Sequence, residues 1–85
     1  MSKTLVTVIP GIGKTFAKDF ARVDLHFLED FHGASAETVF QALTTANRAE
    51  NHNTSKNYLY VIRVIVYYAE GGRETGKLKW SFWKD

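Results

Sequence analysis

The chain has 85 residues, 45% of them hydrophobic and 24% charged, with a formal net charge of +2. That bounds it to one globular domain with a small core, and it excludes a disordered segment. The absence of cysteine excludes a disulfide framework and a thiolate metal site.

The first informative stretch is "LVTVIPGIGKTFAKDF", residues 5–20. Its apolar run is short and is broken by Pro10, so it lacks the long core of a signal peptide. No run approaches the length needed to span a membrane, and a cytoplasmic protein is the expectation. Gly13-Lys14-Thr15 raises the question of a nucleotide-binding P-loop, Gly-x-x-x-x-Gly-Lys-Ser/Thr. The first glycine of that pattern would be residue 8, which is Val8. The P-loop is therefore excluded.

The same residues suit a hairpin between two helices. Pro10 stops a first helix, and Gly11 and Gly13 take backbone angles or close approaches that a side chain would hinder. Ile12 turns inward, and Ala17 keeps the helices close. Phe16, Ala17, Phe20 and Val23 lie on one face of a second helix over residues 14–23. "IPGIGKTFAKDF" resembles the helix-hairpin-helix motif. That resemblance implies a phosphate held by open amides at a helix N-terminus. The residues assigned to it are Gly11, Ile12, Gly13, Lys14 and Thr15. Lys14, Lys18 and Arg22 step by four and form a basic stripe beside them, which Asp19 weakens.

Residues 34–47, "ASAETVFQALTTAN", predict a further helix with Ser35 as N-cap and Val39, Phe40, Leu43 and Ala46 on one face. "LVTVIPGIG" and "FLEDFHGAS" align at an offset of 22 residues, with Leu5 on Phe27, Ile9 on Phe31, Gly11 on Gly33 and Ala17 on Val39. Two similar units in tandem are expected, over 4–23 and 27–47. The second has Ser35, Ala36 and Glu37 where the first has Gly13, Lys14 and Thr15. A carboxylate there would compete with phosphate, so that unit reads as structural.

Residues 47–53, "NRAENHN", read as a loop. The following run, 54–70, is rich in Tyr, Val and Ile, which favours a strand on propensity. Its length and the 3-4-3 spacing of Leu59, Ile62, Val66 and Ala69 favour a helix, with Gly71 and Gly72 as its cap. The tail, 77–85, carries Trp80, Phe82 and Trp83. Packing over the last helix is the expectation, and an exposed platform for bases or a partner is the alternative.

Taken with "DLHFLEDFHGASAETVFQAL", "YVIRVIVYYA" and "LKWSFWKD", the hairpin makes nearly the whole chain resemble the pathogenicity-locus family of small bacterial helix-hairpin-helix proteins. The resemblance implies an all-α, SAM-like bundle of about five helices. Members often carry a cysteine before the last long helix, where this chain has "NHNTSKN".

Enzyme chemistry finds little support. His26, His32 and His52 have no metal-ligand spacing. Glu29 and Asp30 are adjacent and diverge by about 100° on a helix. The expectation is a non-enzymatic module without cofactor or metal. It would bind DNA backbone independently of sequence, or alternatively serve protein interaction or self-association.

Overall fold

The computed structural model describes residues 4–84. Among them are three α-helices: α1 (Lys14–Ala21), α2 (Ala36–Ala49) and α3 (Asn57–Ala69). Single 3-10 turns form at Val6–Val8, Leu28–Asp30, Thr75–Leu78 and Trp80–Trp83. The fold is all-helical, but the expected bundle of about five α-helices reduces to three. The apolar run before Pro10 is too short to repay helix nucleation, so it closes as one 3-10 turn. The run before Gly33 does the same.

α3 organises the core. Leu59, Tyr60, Val61, Ile62, Val64 and Ile65 are all buried, a far wider band than one helical face. Such a helix needs cover on several sides. α2 supplies Val39 and Leu43, and the turns supply Val6, Ile9, Leu28 and Phe31. Phe20 of α1 meets Phe31 edge to face, with ring centroids 5.6 Å apart. From the C-terminal side, Trp83 packs on Tyr67 at 5.6 Å and donates its indole N–H to the Lys77 carbonyl.

The offset of 22 residues runs through the backbone. The Val6–Val8 turn recurs as Leu28–Asp30, and helix starts recur as Lys14 and Ala36. Gly11 and Gly33 both have positive φ, 89° and 76°. The Ile9 amide-to-Val6 carbonyl bond recurs from Phe31 to Leu28, and the Ile12-to-Ile9 bond recurs from Ala34 to Phe31. Leu5 and Phe27, equivalent at this offset, pair with each other in an antiparallel bridge. Pairing of equivalent residues in opposite directions is what a local two-fold produces. The Leu28 amide donates to the Thr4 carbonyl at 2.7 Å, and the Thr4 amide donates to Glu29 Oε1. Asp30 Oδ2 accepts from the His26 and Phe27 amides. The two adjacent carboxylates thus hold backbone.

All three α-helices end alike, on a residue in the left-handed region: Asp24 (φ 60°), Asn51 (φ 61°) and Gly71 (φ 101°). The next amide reaches back to close the last turn: Leu25 to Phe20, His52 to Asn47 and Gly72 to Tyr67. α2 therefore runs through Ala49, two residues past the expected end at 47. Asn47, where the expected helix and loop meet, is buried on the same face as Val39 and Leu43. The tail's last residue, Asp85, lies outside the described residues.

Phe20→Ala is expected to cost about 3–5 kcal/mol, a large share of the stability of so small a domain. Val8→Ala, at a half-exposed position, is expected to change stability by less than about 0.5 kcal/mol. Urea denaturation followed by circular dichroism measures both.

Candidate nucleic-acid interface

The hairpin between Ile9 and Lys14 is built from inside out. Ile9 and Ile12 are buried and anchor the chain to the core. Between them Gly11 turns at φ 89°, a conformation that costs an L side chain roughly 1–2 kcal/mol. Gly13 then caps α1 from an extended conformation, φ −101° and ψ −171°. A Cβ built there would meet nothing within 4 Å. The expectation that Gly11 and Gly13 both need glycine, for a backbone angle or a close approach, therefore holds for Gly11 alone, through its angle. What glycine leaves at position 13 is unobstructed access from outside.

That access leads to free donors. No side chain caps α1 at Gly13. The amides of Lys14, Thr15 and Phe16 precede the first intrahelical bond, which runs from the Ala17 amide to the Gly13 carbonyl. Gly11, Gly13, Lys14, Thr15 and Lys18 are exposed. Among the described residues no carboxylate pairs with Lys14 or Lys18. At the equivalent start of α2, Ser35 Oγ accepts from the Thr38 amide at 3.4 Å, and Glu37 pairs with Arg63 at 3.6 Å. The first N-terminus is open; the second is closed and carries an acid.

Arg22 does not join the open end. Its guanidinium donates to Asn47 Oδ1 at 2.9 Å and sits 3.3 Å from Glu50. Asn47 in turn donates to Thr54 Oγ1 at 2.8 Å. Asp19, beside it on α1, accepts from the Tyr58 hydroxyl. These two links tie α1 to α2 and α3 and fix the direction of the hairpin helix. The basic stripe read from the sequence is thus divided: Lys14 and Lys18 face solvent, and Arg22 serves the fold. Asn47 was missed as a keystone, although its place four residues beyond Leu43 continues the buried face and signals it.

The structure also joins two segments that sequence treats separately. Pro10, Gly11 and Ile12 form one wall of a groove of about 280 Å³ whose opposite wall includes Lys79 and Trp80. Trp80 is 43% exposed, and one face of its ring stacks on buried Tyr60 at 6.2 Å and 7°. The tail is therefore mixed. Trp83 packs as expected, whereas Trp80 and Phe82 stay substantially open.

A sequence model of the family described as Cdd1, pathogenicity locus, matches residues 2–85. The chain belongs to the pathogenicity-locus family. No curated protein and no solved structure gives a significant match to it. Among the described residues no helix is long and apolar enough to cross a membrane. Family membership thus names the chain's relatives and leaves its activity to be argued from the residues.

The Asp19–Tyr58 link has a pH signature. Burial, then the hydrogen bond to Asp19 and that residue's charge, push the Tyr58 hydroxyl up to about 12, against a smaller opposing effect of Arg22. The unfolded chain releases this proton near pH 10, before the folded one does. The link's contribution is therefore complete below about pH 10 and is lost as pH rises toward 12. Tyr58→Phe is expected to lower stability at neutral pH, and the gap to the parent should narrow across that alkaline range. Urea denaturation of both proteins from pH 8 upward measures it.

Proposed function

We propose that this pathogenicity-locus protein is a non-enzymatic DNA-binding accessory module, with residues 4–23 acting as a helix-hairpin-helix, its first helix reduced to a 3-10 turn, that holds one backbone phosphate. The observation that carries the reading is the open start of α1. Its first amides lack a capping side chain, lie behind a glycine with empty space over it, and stand beside Lys14, which has no carboxylate partner among the described residues. Unpaired N–H groups and the helix dipole favour an anion at such a position. Thr15 adds a hydroxyl and Lys18 a second charge one turn along. Contacts of this kind grip the backbone and carry no base information, so binding is independent of sequence and weakens with salt. The second unit, with Ser35 and Glu37 in place, supports the first without binding.

Self-association is the alternative reading. Leu5 and Val8 are 54% and 50% exposed on one turn, and apolar exposure of this sort suits a second copy. Sedimentation over a range of concentrations separates the readings, since a strict monomer removes the second.

Two substitutions test the phosphate site. Lys14→Glu is expected to weaken low-salt binding to a labelled duplex at least several-fold and to flatten its salt dependence. Gly13→Ala is expected to stay folded, because the methyl meets nothing in the protein, at a cost of about 1 kcal/mol or less for the poorer N-cap. It should still weaken binding, because the methyl would occupy space that a phosphate at this helix start needs. Parent-like affinity in both variants would remove the hairpin as the site.

A further inference from the structure

The groove between the hairpin and the tail has features that the phosphate reading does not use. Its walls are apolar and aromatic: Pro10, Ile12, Phe16, Val64 and Trp80. No carboxylate lines it, and its one charged residue is Lys79, which has no acidic partner among the described residues. The groove of about 720 Å³ on the other side of α3 contrasts with it, since Glu37 and Glu70 line that one against a single cation, Arg63, which pairs with Glu37. An anionic ligand with a flat apolar part is therefore suited to the first groove and opposed at the second.

Trp80 is prepared for stacking. Tyr60 is buried, 5% exposed, and holds one face of the Trp80 ring in a parallel stack. Trp80 lines the groove and is 43% exposed, whereas Tyr60 does not line it. A ring already steadied by a neighbour and still partly exposed loses little freedom when a second flat ring lands on it. Bases stack on aromatic side chains in this manner whatever their identity. A base still paired within a duplex does not present its face to a side chain, whereas an unpaired one does.

We propose that this groove takes one unpaired base of single-stranded DNA, stacked on Trp80, while the neighbouring backbone phosphate sits at the start of α1. The proposal rests on the hairpin reading for the phosphate and adds a preference for single strands. Gly11 and Ile12 belong both to the hairpin and to the groove wall, so the two contacts fall on adjacent parts of one nucleotide chain. Lys79 supplies charge on the far side, where the strand leaves.

The test compares three labelled probes at low salt by fluorescence anisotropy: oligo-deoxythymidine, an abasic strand of the same length, and a duplex. Oligo-deoxythymidine is expected to bind several-fold more tightly than either of the others. Trp80→Ala should cost roughly 5- to 150-fold on that probe alone, the range for loss of one stacked base, and Trp80→Phe should recover most of it. In fluorotryptophan-labelled parent protein, the Trp80 resonance, assigned by Trp80→Phe, should shift on saturation with oligo-deoxythymidine, so the proposal does not depend on Trp80→Ala folding. Equal binding of the thymidine and abasic strands, or an unmoved Trp80 resonance, overturns it. If Lys14→Glu still weakens every probe in that event, the hairpin reading stands without the groove. If no probe binds, both fall.

Discussion

A helix that is apolar on most of its sides must be covered on most of its sides, and α3 imposes that constraint on the whole molecule. Six of its residues are buried within seven positions, from Leu59 to Ile65. No single neighbouring helix can cover that band. α2 takes one side, the two 3-10 turns with Ile9 and Phe31 take another, and the tail closes a third through Trp83. The short turns are therefore structural parts rather than connectors. The hairpin is held where it is because Ile9 and Ile12, on either side of the Pro10-Gly11 turn, are needed in this cover.

The local two-fold between the paired turns gives the hairpin its second support. Leu5 and Phe27 bridge, and Glu29 and Thr4 close the bridge with a hydrogen bond between the units. Two copies of one backbone plan then carry different chemistry at the same point. At the start of α2 a serine caps the helix and a glutamate joins an ion pair with α3. At the start of α1 there is glycine, lysine and threonine, and no cap. A glycine at a helix start gives up a few tenths of a kcal/mol against a good N-cap. The unit that forgoes this stabilisation is the one whose amides face solvent, which is the arrangement a ligand-binding end requires.

Much of the fold was legible in the sequence because its signals are local. Pro10, Gly11, Gly33 and Gly71 mark real turns, Ser35 caps α2, and the length of the Tyr/Val/Ile run outweighed its strand propensity. The count of α-helices was not legible, since an apolar run of a few residues before a proline satisfies a helical pattern without being long enough to nucleate one. Asn47 was read as the junction of helix and loop because a polar residue near a helix end looks like a loop, and only the partners Arg22 and Thr54 explain its burial. Arg22 was misread for the converse reason: spacing by four places a charge on a stripe but does not say which neighbour claims it. The groove depends on residues 10–12 meeting residues 78–81 in space, and no periodicity carries that information.

The central claim is that the open end of α1 and the groove beside it form one nucleic-acid site. A titration of isotope-labelled protein with a short single strand, followed through backbone amide resonances, tests it residue by residue. The account predicts that the largest shifts fall on Gly13, Lys14 and Thr15 and on Lys79 and Trp80, with the start of α2 at Ala36–Thr38 left unmoved. Shifts concentrated instead around Glu37, Glu70 and Trp83, or spread evenly over exposed lysines, would contradict it.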